Sequence, residues 1–102
     1  MTENNQKAAA QKTLPLVLLA EDNHINAVTL IHSLKMHDYE VVHAITGIEA
    51  CELAEKKLPG LIIMDIQLPE MDGLTAIRKI RNMPELKETP IVALTADRKS
   101  VV

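Results

Sequence analysis

Apolar residues along this chain come in short unbroken runs separated by longer stretches of helical period. Leu16-Val17-Leu18-Leu19-Ala20, Leu61-Ile62-Ile63-Met64 and Ile91-Val92-Ala93-Leu94 are continuous rather than alternating. A parallel strand covered on both faces requires that pattern. Glu40-Val41-Val42-His43-Ala44 is more mixed and suits an edge strand. Between the runs, Ala27, Leu30, Ile31 and Leu34 fall at i, i+3, i+4 and i+7, which predicts a first helix. Ala50, Leu53 and Ala54 repeat the stripe more briefly, and Leu74, Ile77 and Ile80 mark a third helix after the turn signal Asp72-Gly73. Lys57-Leu58-Pro59-Gly60, Pro84 and Pro90 punctuate the approaches to the later strands. The order β-α-β-α-β-α-β specifies an α/β fold with a parallel sheet, and right-handed crossovers leave few topologies.

In such sheets the ligand site lies beyond the carboxyl ends of the strands. Glu21 and Asp22 follow the first run, Asp65 follows the third, and Thr95 follows the fourth. Each has an ordinary reading when taken alone. Glu21 and Asp22 are suitable acids for a helix N-terminus, Asp65 for a solvated loop, and Thr95 for a strand end. Their joint placement on one rim argues for chemistry. Carboxylates crowded together repel one another, and without a cation one would take up a proton. A hard divalent ion removes the conflict, and Mg2+ binds through few carboxylates while keeping several waters. An ionised Asp beside such an ion can attack phosphorus without a base, and a Thr95 hydroxyl can hydrogen-bond the new phosphoryl group.

Composition narrows the alternatives. The chain has 102 residues, about one small domain, with 47% hydrophobic residues and a net charge of −3. Its bases are scattered and its aromatic content is 1%, Tyr39 alone, so it lacks both the basic patch and the stacking platforms of a nucleic-acid binder. Cys51 is the single cysteine, so no internal disulfide or thiolate zinc cluster forms; it sits beside a helix stripe and reads as a buried, inert thiol. His24, His32, His37 and His43 show no ligand-like pairing and read as surface or strand-end residues. Residues 1–13 are polar and Ala-rich, read as a tail or linker, and have no apolar core of the signal-peptide kind. No stretch approaches the roughly 18 apolar residues of a membrane span. A cytoplasmic setting is expected, with no membrane and no nucleic acid as partner.

Leu18-Leu19-Ala20-Glu21-Asp22-Asn23, Met64-Asp65-Ile66-Gln67-Leu68-Pro69-Glu70-Met71-Asp72-Gly73 and Ala93-Leu94-Thr95-Ala96 together resemble the receiver domain of bacterial two-component response regulators. The resemblance runs from about Leu16 to Asp97, and its middle motif is the most specific. It implies a flavodoxin-like (CheY-like) fold with strand order 2-1-3-4. It also implies roles by position: Asp65 as phospho-acceptor, Asp22 as a direct Mg2+ ligand, Glu21 in the outer shell, and the backbone carbonyl of Gln67 as a further ligand. Thr95 would be the switch hydroxyl, and Pro69 and Gly73 would shape the loop over the site. The implied phosphoryl donor is a histidine kinase or a histidine phosphotransfer protein.

The family continues into a fourth helix, a fifth strand carrying a switch aromatic, an essential Lys and a fifth helix, and the sequence ends at Val102 before these. The expectation is therefore a receiver over residues 14–102 with its fifth strand and fifth helix missing, slow to be phosphorylated and prone to homo-association through the open edge of strand four. Two other functions compete with phosphoryl acceptance. One is a degenerate receiver acting as a binding module. The other is an Asp-nucleophile phosphohydrolase, disfavoured because Gln67 rather than a second acid stands two residues beyond Asp65. An enzyme turning over an external substrate is not expected.

Overall fold

The computed structural model describes residues 14–95. Its elements, in chain order, are β1 (Leu16–Ala20), α1 (His24–Met36), β2 (Glu40–Ala44), α2 (Gly47–Lys57), β3 (Leu61–Asp65), α3 (Gly73–Arg81), a 3-10 turn at Pro84–Leu86, and β4 (Ile91–Leu94). The strands form one parallel sheet in the order β2-β1-β3-β4, with β2 at an edge as its mixed pattern predicts.

That order makes the chain step one way from β1 to β2 and the other way from β2 to β3 and from β3 to β4. With right-handed crossovers, α1 falls on one face of the sheet and α2 and α3 on the other. The core follows this division. Leu18, Ala20, Ala44, Ile62 and Met64 turn toward α2 and α3, where they meet Ala50, Ala54, Ala76, Ile80 and Leu86. Val17 and Leu19, of opposite parity, turn to the α1 face and are also fully buried.

Each helix starts at a side-chain cap. Asn23 Oδ1 accepts from the Asn26 N–H at 2.9 Å, Thr46 Oγ1 from the Glu49 N–H at 3.0 Å, and Asp72 Oδ1 from the Thr75 N–H at 2.9 Å. Glu49 returns its Oε1 to the N–H of Ile45, the residue before the cap, at 2.9 Å. At its far end α2 closes on Leu58, a non-glycine residue held left-handed at φ 48°.

Several sequence expectations are adjusted by the structure. Asp65 is the last residue of β3 rather than the first beyond it, because it still pairs with Leu94 of β4. The buried stripe of α3 is Gly73, Ala76 and Ile80 with Ile77 beside it, while Leu74 is exposed; the close seating of Gly73 against the end of β3 sets this rotational phase. In α1 the buried residue is Ala27, and Leu30, Ile31 and Leu34 are half-buried. β4 has the apolarity of a central strand, yet Val92 and Ala93 are exposed and β4 is the other edge among the described residues. Cys51 is half-buried, with Sγ 4.0 Å from Met71 Sδ, and burial raises its thiol pKa.

Candidate functional site

Because α1 leaves β1 for one face while α3 leaves β3 for the other, the carboxyl ends of these adjacent strands are left open between them. This is the topological switch point of the sheet. Glu21 and Asp22 follow β1 there, and Asp65 closes β3. The three residues can each offer a carboxylate oxygen such that all lie within 4.8 Å of one another.

Their environments differ. Asp22 is exposed and Asp65 half-buried, whereas Glu21 is only 3% exposed. Glu21 is also tethered at three points. Its N–H donates to the Ala44 carbonyl at 3.0 Å, its carbonyl lies 2.8 Å from His43 Nε2, and its Oε2 accepts from the Asn23 N–H at 3.0 Å. Burial raises the Glu21 carboxyl above the ordinary range, opposed by the Asn23 hydrogen bond and reinforced by close Asp65 and by the charge of Asp22. Asp65 Oδ1 accepts from the Gln67 N–H at 3.0 Å, and the Asp65 carboxylate also lies against that of Glu21.

The donor set suits a hard divalent cation: three oxygen ligands, mutual repulsion that raises the buried acid, and an exposed side at Asp22 through which waters can complete a shell. Neither Glu21 nor Asp22 caps α1, since Asn23 does so. Thr95 is exposed and directly follows Leu94, the partner of Asp65 in the ladder; the Leu94 carbonyl accepts the Ile66 N–H at 3.0 Å. Thr95 thus follows the strand that pairs with the end of β3, and Gln67 touches Asp65 directly through its backbone N–H.

The segment from Ile66 to Asp72 is held from below by two glycines. A β-carbon on Gly73 would collide with the Asp65 carbonyl oxygen, and the Gly73 N–H donates to the Ile66 carbonyl at 2.7 Å. A β-carbon on Gly47 would collide with the Met71 carbonyl oxygen, and the Gly47 N–H donates to the Pro69 carbonyl at 3.3 Å. The sequence signalled Gly73 but not Gly47, whose one clue is its position immediately after a strand and a capping Thr46. Glu70 adopts φ 68° inside this loop and was likewise unmarked. His24, His32 and His37 are exposed, whereas His43 touches the site through Glu21.

The fold and this rim define a class. The family model of the response regulator receiver domain matches residues 17–102, and the chain belongs to that family. Receivers of this family are signalling modules rather than enzymes of external substrate turnover. Among curated relatives, the polar-differentiation response regulator DivK of Brucella ovis is 38% identical over 80 residues, which is 78% of this chain and 65% of that protein. The chain therefore spans less than two thirds of that relative's length. Among solved structures, the receiver domain of sensor histidine kinase PA1611 from Pseudomonas aeruginosa has a TM-score of 0.80 at 35% identity, covering 87% of this chain and 72% of that one. That structure holds a magnesium ion coordinated in its active-site cleft. The chemotaxis response regulator CheY4 of Vibrio cholerae has a TM-score of 0.80 at 32% identity, covering 84% and 72%. Among the described residues no helix is long and apolar enough to cross a membrane.

Proposed function

We propose that this chain accepts a phosphoryl group on Asp65 in a two-component phosphorelay, with a histidine kinase or histidine phosphotransfer protein as donor. The observation that carries this reading is the convergence of Glu21, Asp22 and Asp65, with carboxylate oxygens within 4.8 Å, at the open strand ends. Asp65 Oδ2 is the nucleophile, since Oδ1 is engaged by the Gln67 N–H. The new P–O bond forms as the P–N bond of the donor breaks, and its electron pair stays on the imidazole nitrogen. Thr95 donates its hydroxyl hydrogen to a phosphoryl oxygen. Asp22, Asp65 and the Gln67 backbone carbonyl would hold Mg2+ directly, with the buried Glu21 in the outer shell. When bound, Mg2+ supplies the positive charge that lets one anion approach another.

Turnover of an external phosphoester is outside this reading, because Gln67 stands where a general acid would be needed. The receiver unit is assigned to residues 14–102, with residues 1–13 as a tail or linker, in the cytoplasm. β4 is an edge strand among the described residues, and association of two copies along that edge is checked by sedimentation at increasing concentration.

Incubation with acetyl phosphate or phosphoramidate, with and without Mg2+, followed by intact-mass measurement, tests the main proposal. One phosphoryl group should be added in Mg2+ alone, and Asp65→Asn should remove it. Equal labelling of Asp65→Asn, or no labelling of the unaltered chain in Mg2+, overturns the assignment.

A further inference from the structure

We propose that His43 is a positioning residue for the metal-binding rim: its ring holds the Glu21–Asp22 peptide plane and so sets where Asp22 presents its carboxylate. The inference rests on the phospho-acceptor reading and deepens it.

The ladder between β1 and β2 runs in register through Leu19 opposite His43 and Ala20 opposite Ala44. One further backbone bond follows, from the Glu21 N–H to the Ala44 carbonyl at 3.0 Å. There the strands part, because Thr46 turns away to cap α2. The Glu21 carbonyl would otherwise lose its partner, and among the described residues no backbone N–H reaches it. His43 Nε2 fills that role at 2.8 Å. A carbonyl oxygen only accepts, so Nε2 carries the proton and donates.

The geometric consequence falls on Asp22. The Glu21 carbonyl lies in one rigid plane with the Asp22 amide and Cα. With Ala44 gripping the peptide before Glu21 and His43 gripping the one after it, the chain leaves β1 in a fixed direction. The Glu21 side chain is separately drawn inward by the Asn23 N–H. Asp22 is the exposed member of the carboxylate group and has no comparable side-chain tether among the described hydrogen bonds, so its placement depends on its backbone. His43 points to the α1 face, opposite to buried Ala44, and is half-buried, so the ring reaches the peptide from the side without displacing the core.

The test is a Mg2+ titration of the full chain and of His43→Leu, His43→Asn and His43→Gln, with urea unfolding run in parallel and 15N NMR of the unaltered imidazole. Gln extends an amide N–H about as far as Nε2, whereas Asn reaches only about as far as Nδ1. The neutral ring should show the Nε2–H tautomer. His43→Leu and His43→Asn should bind Mg2+ on the order of tenfold more weakly, and His43→Gln within about twofold of the unaltered chain. A general strand-end role would lower unfolding midpoints without separating Asn from Gln in Mg2+ affinity. If His43→Leu does not fold, the Asn and Gln pair carries the comparison. Unchanged Mg2+ affinity in His43→Asn, equal weakening in Asn and Gln, or an Nδ1–H tautomer overturns the role of His43 alone. Failure of the unaltered chain to bind Mg2+ overturns the metal site and the positioning role with it.

Discussion

Gly73→Ala should damage the site without touching any of its carboxylates. Gly73 has no positive φ, so backbone freedom is not what requires glycine there. The requirement is space. An added β-carbon would overlap the Asp65 carbonyl oxygen and lie 2.7 Å from Ile66 Cα, where carbon atoms settle at about 3.5–4.0 Å. The first turn of α3 must therefore back away from the end of β3 by about 1 Å, stretching the Gly73 N–H bond to Ile66. Overpacking of this kind costs about 1–3 kcal/mol. With a urea m-value of about 1 kcal/mol/M, a loss of about 2 kcal/mol lowers the unfolding midpoint by about 2 M. The movement falls on Asp65 and on the loop that carries Gln67, and a misplacement of about 1 Å at a reacting group can reduce rate by about a hundredfold. Urea unfolding and acetyl phosphate labelling of the same preparation measure both effects. A Gly73→Ala chain with an unchanged midpoint and unchanged labelling rate would refute the steric argument.

Three other outcomes are expected. On the proposed ligand assignment, Asp22→Asn should weaken Mg2+ binding more than Glu21→Gln, because the first removes a charged inner ligand and the second an outer one; titration by calorimetry ranks them, and the reverse ranking places Glu21 in the inner shell. Glu21 has a folded pKa raised by burial and by Asp65 and Asp22, so its contribution to stability is full below the ordinary carboxyl pKa and is lost as pH rises through the raised value. In chelator, urea midpoints of the unaltered chain should therefore fall across that interval relative to Glu21→Gln, whose amide oxygen still accepts from Asn23; parallel pH profiles would contradict this. Leu58→Gly should stabilise the chain by about 0.5–1 kcal/mol, since Leu58 is left-handed and half-exposed and relief of that strain exceeds the added chain entropy. Thermal unfolding reads the change.

The elements of this protein were legible in its local sequence because local rules govern them. Unbroken runs such as Leu16–Ala20 form the strands, although β1 is covered on both faces while β4 leaves Val92 and Ala93 exposed, and the stretches of helical period between them form the helices. The acids of the site were legible for a related reason: a parallel sheet collects every strand end on one rim, so Glu21, Asp22 and Asp65 are brought together by topology whatever their spacing in the chain. What the pattern left undecided depends on contacts between distant segments. The phase of α3 could not be read from Leu74, Ile77 and Ile80, because it is set by how closely Gly73 seats against Asp65. The burial of Glu21 beside an exposed Asp22 follows from its bonds to Ala44, His43 and Asn23. His43 on edge strand β2 and Gly47 at the start of α2 carry no chemical motif. They acquire their roles only when β2 is laid beside β1 and α2 is brought beneath the loop after β3, because a close approach or a pinned peptide is a property of two segments together.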